Sequence, residues 1–157
     1  MDQEGPRGTI RLKTCMVGSH AVGKTSLVQR FVQSVFGARY HETIGVKIDT
    51  KDVDVGGQAV TLVLWDMAGL DRVDSLTESY LRGAAGYLVV ADGTRSATLA
   101  TAIELQAAVE RLLGPVPFAC LLNKSDLDDV WEVAGAEDEL AGRGWDVVVS
   151  SAKTPSV

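Results

Sequence analysis

The segment Gly18-Ser19-His20-Ala21-Val22-Gly23-Lys24-Thr25 constrains this chain more than any other. It follows the apolar, β-branched run Ile10 to Val17. It precedes KTSLVQRFVQSVF, in which Leu27, Val28, Phe31, Val32 and Val35 recur at helical spacing. A strand, a glycine-bracketed turn and a helix N-terminus in that order gather successive backbone N–H groups into a cradle for anionic phosphate oxygens. In the pattern GxxxxGK followed by Ser or Thr, the lysine supplies a compact positive charge and the hydroxyl a hard oxygen for Mg²⁺. The candidate phosphate-binding residues are therefore Ser19, His20, Ala21, Val22, Gly23, Lys24, Thr25 and Ser26.

The rest of the chain continues the alternation of strand and helix. Val46 to Val55 and Ala59 to Trp65 flank Gly56-Gly57, two residues free to take positive φ, and predict an antiparallel hairpin. GYLVVAD and VPFACLLN read as buried parallel strands, and Thr98 to Leu113 as a helix ended by Gly114-Pro115. Glu132 to Arg143 predicts a short helix and WDVVVS a last strand. The expected architecture is a doubly wound α/β fold: a six-stranded mixed sheet, five strands parallel and one antiparallel, with helices on both faces. At 157 residues it is one domain, spanning 9–157 behind a polar, flexible arm at 1–8.

Charge and composition narrow the partners. An excess of 21 acidic over 15 basic side chains leaves a formal charge of −6, the wrong sign for holding nucleic acid. No apolar run approaches the roughly 18 residues that span a bilayer, and the N-terminus lacks a secretory apolar block, so a soluble, cytoplasmic protein is expected. Cys15 and Cys120 lie in apolar strands without a neighbouring ligand or second thiol, and are expected as buried, reduced side chains.

A phosphate cradle does not choose a base. Asn123-Lys124-Ser125-Asp126 follows the apolar strand FACLL, at the carboxyl end where open α/β sheets bind ligands. A carboxylate there accepts from both the N1–H and the 2-amino group of guanine, donors that adenine does not offer in that arrangement. Asp126 therefore argues for GTP and against an ATP-using enzyme. Ser150-Ser151-Ala152-Lys153, after the last strand, would bring a backbone N–H to the guanine O6 from the same end of the sheet.

In this order the motifs resemble the Ras superfamily of small GTPases, and the strings YHETIGV and LWDMAG are most similar to its Rab branch. The resemblance implies that Thr43 closes on Mg²⁺ when GTP is present, that Asp66 holds Mg²⁺ through water, and that the Gly69 amide senses the γ-phosphate. It further implies that Phe36 packs against guanine and that Tyr40 forms a mobile lid near the phosphates. Thr25, Thr43 and Asp66 are then the metal set, and Lys24, Thr43, Gly69, Leu70 and Asp71 surround the reacting phosphate. Two loops, about Gly37 to Gly45 and Met67 to Ser79, would be ordered by the γ-phosphate and released on its loss. An effector protein would read them, and an exchange factor and an activating protein would drive the cycle.

The chain also departs from the family. Leu70 stands where the family usually has a glutamine that orients the attacking water, and an aliphatic side chain forms no hydrogen bond to it. Slow hydrolysis is expected. Either the protein is a GTP-locked scaffold, or Asp71 or a residue donated by a partner positions the water. His20 and Ala21 replace two glycines of Ras, so the His20 imidazole either obstructs an arginine finger or points to solvent. His41 reads as an exposed loop residue. Of the Rab aromatic triad Trp65 and Tyr80 are present, while Ile48 replaces the phenylalanine. The sequence stops at SSAKTPSV, where family members continue into a C-terminal helix, so that helix is expected to be missing, and no prenylation string is present to encode a lipid anchor.

Overall fold

The computed structural model describes residues 8–33 and 45–153. Strand β1 (Ile10–Gly18) runs between β3 (Gln58–Met67) and β4 (Gly86–Asp92), parallel to both. Beyond β4 come β5 (Phe118–Asn123) and β6 (Val147–Val149), also parallel, and outside β3 lies β2 (Val46–Val55), giving the order β2-β3-β1-β4-β5-β6. The edge strand β2 is antiparallel to β3 in unbroken register from Val46 against Met67 to Val55 against Gln58. The expected mixed sheet, five strands parallel and one antiparallel, is what forms. Gly56 and Gly57 both take positive φ in the hairpin turn.

Alternation along the strands divides the core in two. From β1, Cys15 and Val17 join a cluster with Val89, Ala91, Cys120 and Leu122, covered by Leu81, Ala102, Val109 and Leu140 from the helices α2 (Ser75–Leu81), α3 (Ser96–Leu113) and α4 (Ala136–Gly142). Met16 points the other way, with Leu64 and Val90, against Val28 of α1 (Lys24–Gln33). Each such fully buried aliphatic side chain contributes about 1.5–3 kcal/mol. Both cysteines are buried free thiols, and burial pushes each up to about 11, with Lys13 opposing the effect at Cys15.

Three elements differ from their sequence outline. The helix expected over Glu132 to Arg143 shortens to α4, which starts only after Gly135 at φ 85°, and a separate 3₁₀ turn at Asp128–Val130 precedes it, with Trp131 extended between the two. Trp131 lies flat against Gly93, where a Cβ would overlap its ring. The last strand shortens to three residues, since Trp145 turns aside to meet the Phe118 ring edge-on at 5.2 Å. The loop expected from Met67 to Ser79 instead begins inside β3 and ends in α2, whose first turn is capped by the Asp74 carboxylate accepting from Thr77 N–H at 2.8 Å. The predicted first helix extends to Phe36, and its end lies outside the described residues.

Candidate functional site

The turn between β1 and α1 is a phosphate-type cradle held from outside. Ala21 takes φ 61° and Gly23 φ 104°, and the carbonyls of His20, Ala21 and Val22 meet side chains from outside the turn. Three consecutive carbonyls are each met by a side chain. Arg95 Nη2 donates to His20 O at 2.9 Å, Lys124 Nζ to Ala21 O at 3.0 Å and Asn123 Nδ2 to Val22 O at 3.0 Å. Inside the turn, Lys24 Nζ donates to Gly18 O at 2.9 Å and Ser19 O at 3.0 Å. Lys24 is only 5% exposed, and burial lowers its pKa to about 8 against the opposing pull of Asp66. His20 itself is exposed.

Behind these cations is Asp92, 1% exposed at the end of β4. Its Oδ2 meets Lys124 Nζ at 2.9 Å and Arg95 Nε at 3.0 Å, and its Oδ1 accepts from Thr94 N and Oγ1 at 2.8 and 2.6 Å. Burial alone would raise its pKa; hydrogen bonds from Thr94, Lys124 and Arg95 overcome that and bring it down to about 2. Sequence reading missed Asp92 and Arg95. The signal was an acidic residue closing the continuous apolar strand GYLVVAD.

At the end of β3, Thr25 Oγ1 donates to Asp66 Oδ2 at 2.5 Å. Asp66 Oδ1 is buried and, among the described residues, has no hydrogen-bond partner. Burial raises the Asp66 pKa, with the Thr25 bond and Lys24 opposing it. The Thr25 hydroxyl, one residue past the cradle lysine, and the Asp66 carboxylate with its unpartnered oxygen fit the hard-oxygen demand of Mg²⁺.

The segment after β3 presses on the cradle. A Cβ at Gly69 would stand 2.6 Å from His20 N, so only glycine fits, and Leu70 N–H donates to Gly18 O at 3.0 Å. The Leu70 side chain is half-buried against the larger core cluster, while Asp71 is exposed.

At the opposite rim, Ser151 Oγ donates to Asp126 Oδ1 at 2.7 Å and Lys153 N–H to Ser151 Oγ at 3.1 Å. Ser150 joins the two loops: its carbonyl accepts from Ser125 N–H at 3.0 Å and its hydroxyl donates to Asn123 Oδ1 at 3.3 Å. Asn123 and Ala152 are buried and Lys124 takes φ 71°. Ser19 and Val22 are buried in the cradle, and Ser26 is half-buried in α1. The structure thus brings the cradle, Asp66, Gly69 and both base-end loops to one end of the sheet. Phe36, Tyr40, His41 and Thr43 lie outside the described residues. On the β2–β3 face, Trp65 and Tyr80 have ring centroids 6.3 Å apart, Lys13 Nζ stands 3.7 Å over the Trp65 ring, and Ile48 is 48% exposed.

A family profile described as the Ras family matches residues 13–155. The chain is 38% identical to the Ras-related protein Rab-32C of Dictyostelium discoideum over 120 residues, 75% of this chain and 54% of that protein. It is 38% identical to human Ras-related protein Rab-4B over 126 residues, 80% of this chain and 59% of that one. With Ras-related protein Rab11E of Lotus japonicus the identity is 37% over 116 residues, 73% and 53% of the two chains. The chain spans little more than half the length of these relatives.

Proposed function

This chain belongs to the Ras family, and from that premise we propose that it is a switch protein of the cytoplasm that binds GTP or GDP with Mg²⁺ and slowly hydrolyses GTP to GDP and phosphate. The observation that carries the proposal is the tie between the two ligand loops. Asn123 and Lys124 donate to Val22 O and Ala21 O, so the phosphate cradle and the loop that carries the Asp126 carboxylate are held together at the sheet's carboxyl end.

In this reading Lys24 exchanges its bonds to Gly18 O and Ser19 O for phosphate oxygens. Thr25 and Thr43, with Asp66 through water, would hold Mg²⁺, which when bound screens the charge on the phosphate oxygens. Asp126, braced by Ser151, accepts from the guanine N1–H and amino group, while the Ala152–Lys153 backbone serves the O6. Thr43 and Gly69 report the γ-phosphate to an effector through the two loops; Phe36 and Tyr40 flank the nucleotide. An exchange factor and an activating protein reset the switch.

Leu70 supports a second reading, a GTP-retaining scaffold with negligible turnover. Its side chain is engaged in apolar packing and has no group to orient water. Asp71, the next residue and exposed, is the first candidate for that role.

Equilibrium competition against a fluorescent guanine nucleotide, with Mg²⁺ and with EDTA, tests the binding. GTP and GDP are expected to compete, ATP not, and EDTA to speed release. Asp126→Asn should lower GTP affinity at least tenfold and raise that for xanthosine triphosphate, because the amide donates where guanine needs an acceptor. Equal competition by ATP would overturn the guanine assignment. Single-turnover hydrolysis then separates the cycling switch, which converts GTP within hours, from the scaffold, which does not.

A further inference from the structure

The three cradle carbonyls differ in how they are held. Lys124 and Asn123 come from the base-end motif, but the residue holding His20 O, Arg95, belongs to no motif in the sequence. Resting on the proposed nucleotide site, we infer that Arg95 is a positioning residue for the bound phosphate chain: anchored on Asp92, it turns the His20–Ala21 peptide so that the Ala21 N–H faces into the cradle.

All described peptide bonds are trans, so the C=O of one residue and the N–H of the next point in opposite directions across a single rigid plane. Fixing His20 O outward with Arg95 fixes the Ala21 N–H inward. Lys124 on Ala21 O does the same for Val22 N–H, and Asn123 on Val22 O for Gly23 N–H. The need is greatest at Ala21, because its φ of 61° is a conformation that a residue with a Cβ rarely adopts. Without an outside anchor this plane has other orientations within reach, and each of them takes a donor away from the phosphates.

Arg95 is built to hold one position. Its planar fork is fixed at two points, Nε on Asp92 Oδ2 at 3.0 Å and Nη2 on His20 O at 2.9 Å. The buried carboxylate is itself immobilised by Thr94 and Lys124. The backbone of Arg95 is held too: Thr98 Oγ1 donates to its carbonyl at 2.7 Å, and Glu132 Oε1 accepts from the next amide, Ser96 N–H, at 2.8 Å. An incidental surface ion pair would need neither the second contact nor this bracing. At 46% side-chain exposure Arg95 stands on the rim, not in the core, so its removal leaves the packing of the domain in place.

The test compares the full chain with Arg95→Ala and Arg95→Lys, reading GDP dissociation in Mg²⁺, the ³¹P spectrum of bound GDP and the melting temperature. Arg95→Ala should release GDP roughly tenfold faster, the equivalent of one charge-assisted hydrogen bond, and shift the β-phosphate resonance more than the α-phosphate one. Arg95→Lys, a point charge that reaches one anchor at a time, should recover only part of both effects. Unchanged dissociation and an unchanged β-phosphate signal overturn the inference while leaving guanine-nucleotide binding intact. A lowered melting temperature with the β-phosphate signal in place assigns Arg95 a structural role and overturns it equally. An unmutated protein that retains no guanine nucleotide overturns the functional reading and this inference together.

Discussion

Leu70 is bound to the cradle by its backbone and to the core by its side chain, through Leu70 N–H on Gly18 O and apolar packing against the larger cluster. Leu70→Gln keeps the first contact and replaces the second with an amide able to hydrogen-bond water. Single-turnover hydrolysis should quicken a few-fold, far short of the roughly 10⁵-fold that a complete activating partner supplies. The lost apolar contact should cost about 1 kcal/mol in urea denaturation. An unchanged or slower rate would mean that another group orients the water, and Asp71→Ala in the same assay identifies it. At this scale the sequence was readable where fixed spacing sets position: Lys24 and Thr25 at the start of α1, Asp126 in the loop after β5. It was not readable at Asp92 and Arg95. Their work lies in a meeting between His20 and Arg95, far apart along the chain, that no local spacing records.

Between elements, the buried carboxylate of Asp92 joins the end of β4, the start of α3, the cradle and the loop after β5 through Thr94, Arg95 and Lys124. Its folded pKa of about 2 lies below the unfolded value of about 3.9, so its contribution to stability is full above the unfolded value and is lost as pH falls from there through the folded one. Urea midpoints measured between about pH 5 and pH 2 should fall across that window, and Asp92→Asn should flatten the fall while lowering the midpoint at neutral pH. An unaltered slope would remove Asp92 from the linkage. The strands were legible because alternation and glycine pairs are local signals, as at Gly56-Gly57. The late start of α4 and the extended Trp131 before it were not: the Trp131 ring sits against Gly93, just past the end of β4 and far away in sequence.

For the whole domain, a ligand that binds the folded state alone raises its stability by mass action. GDP with Mg²⁺ at about 100 times its dissociation constant should add about 2.7 kcal/mol and lift the melting temperature by roughly 5–10 °C, with most of the gain removed by EDTA. No shift at saturating nucleotide would contradict the proposed site. The doubly wound sheet was legible from the alternation of strands and helices, whereas the 44% exposure of Val148 on β6 depends on packing that the strand's own residues do not record. The strand that leads into the cradle, β1, lies inside the sheet between β3 and β4. Its neighbours are not adjacent in sequence: Ile10 pairs with Val60 and Thr14 with Gly86. A ribosome delivers the cradle first and its flanking strands much later, so the nascent loop waits without walls until β4 and then β5 arrive. Refolding should be governed by these long loop closures, not by helix formation, and nucleotide should bind only after they are complete.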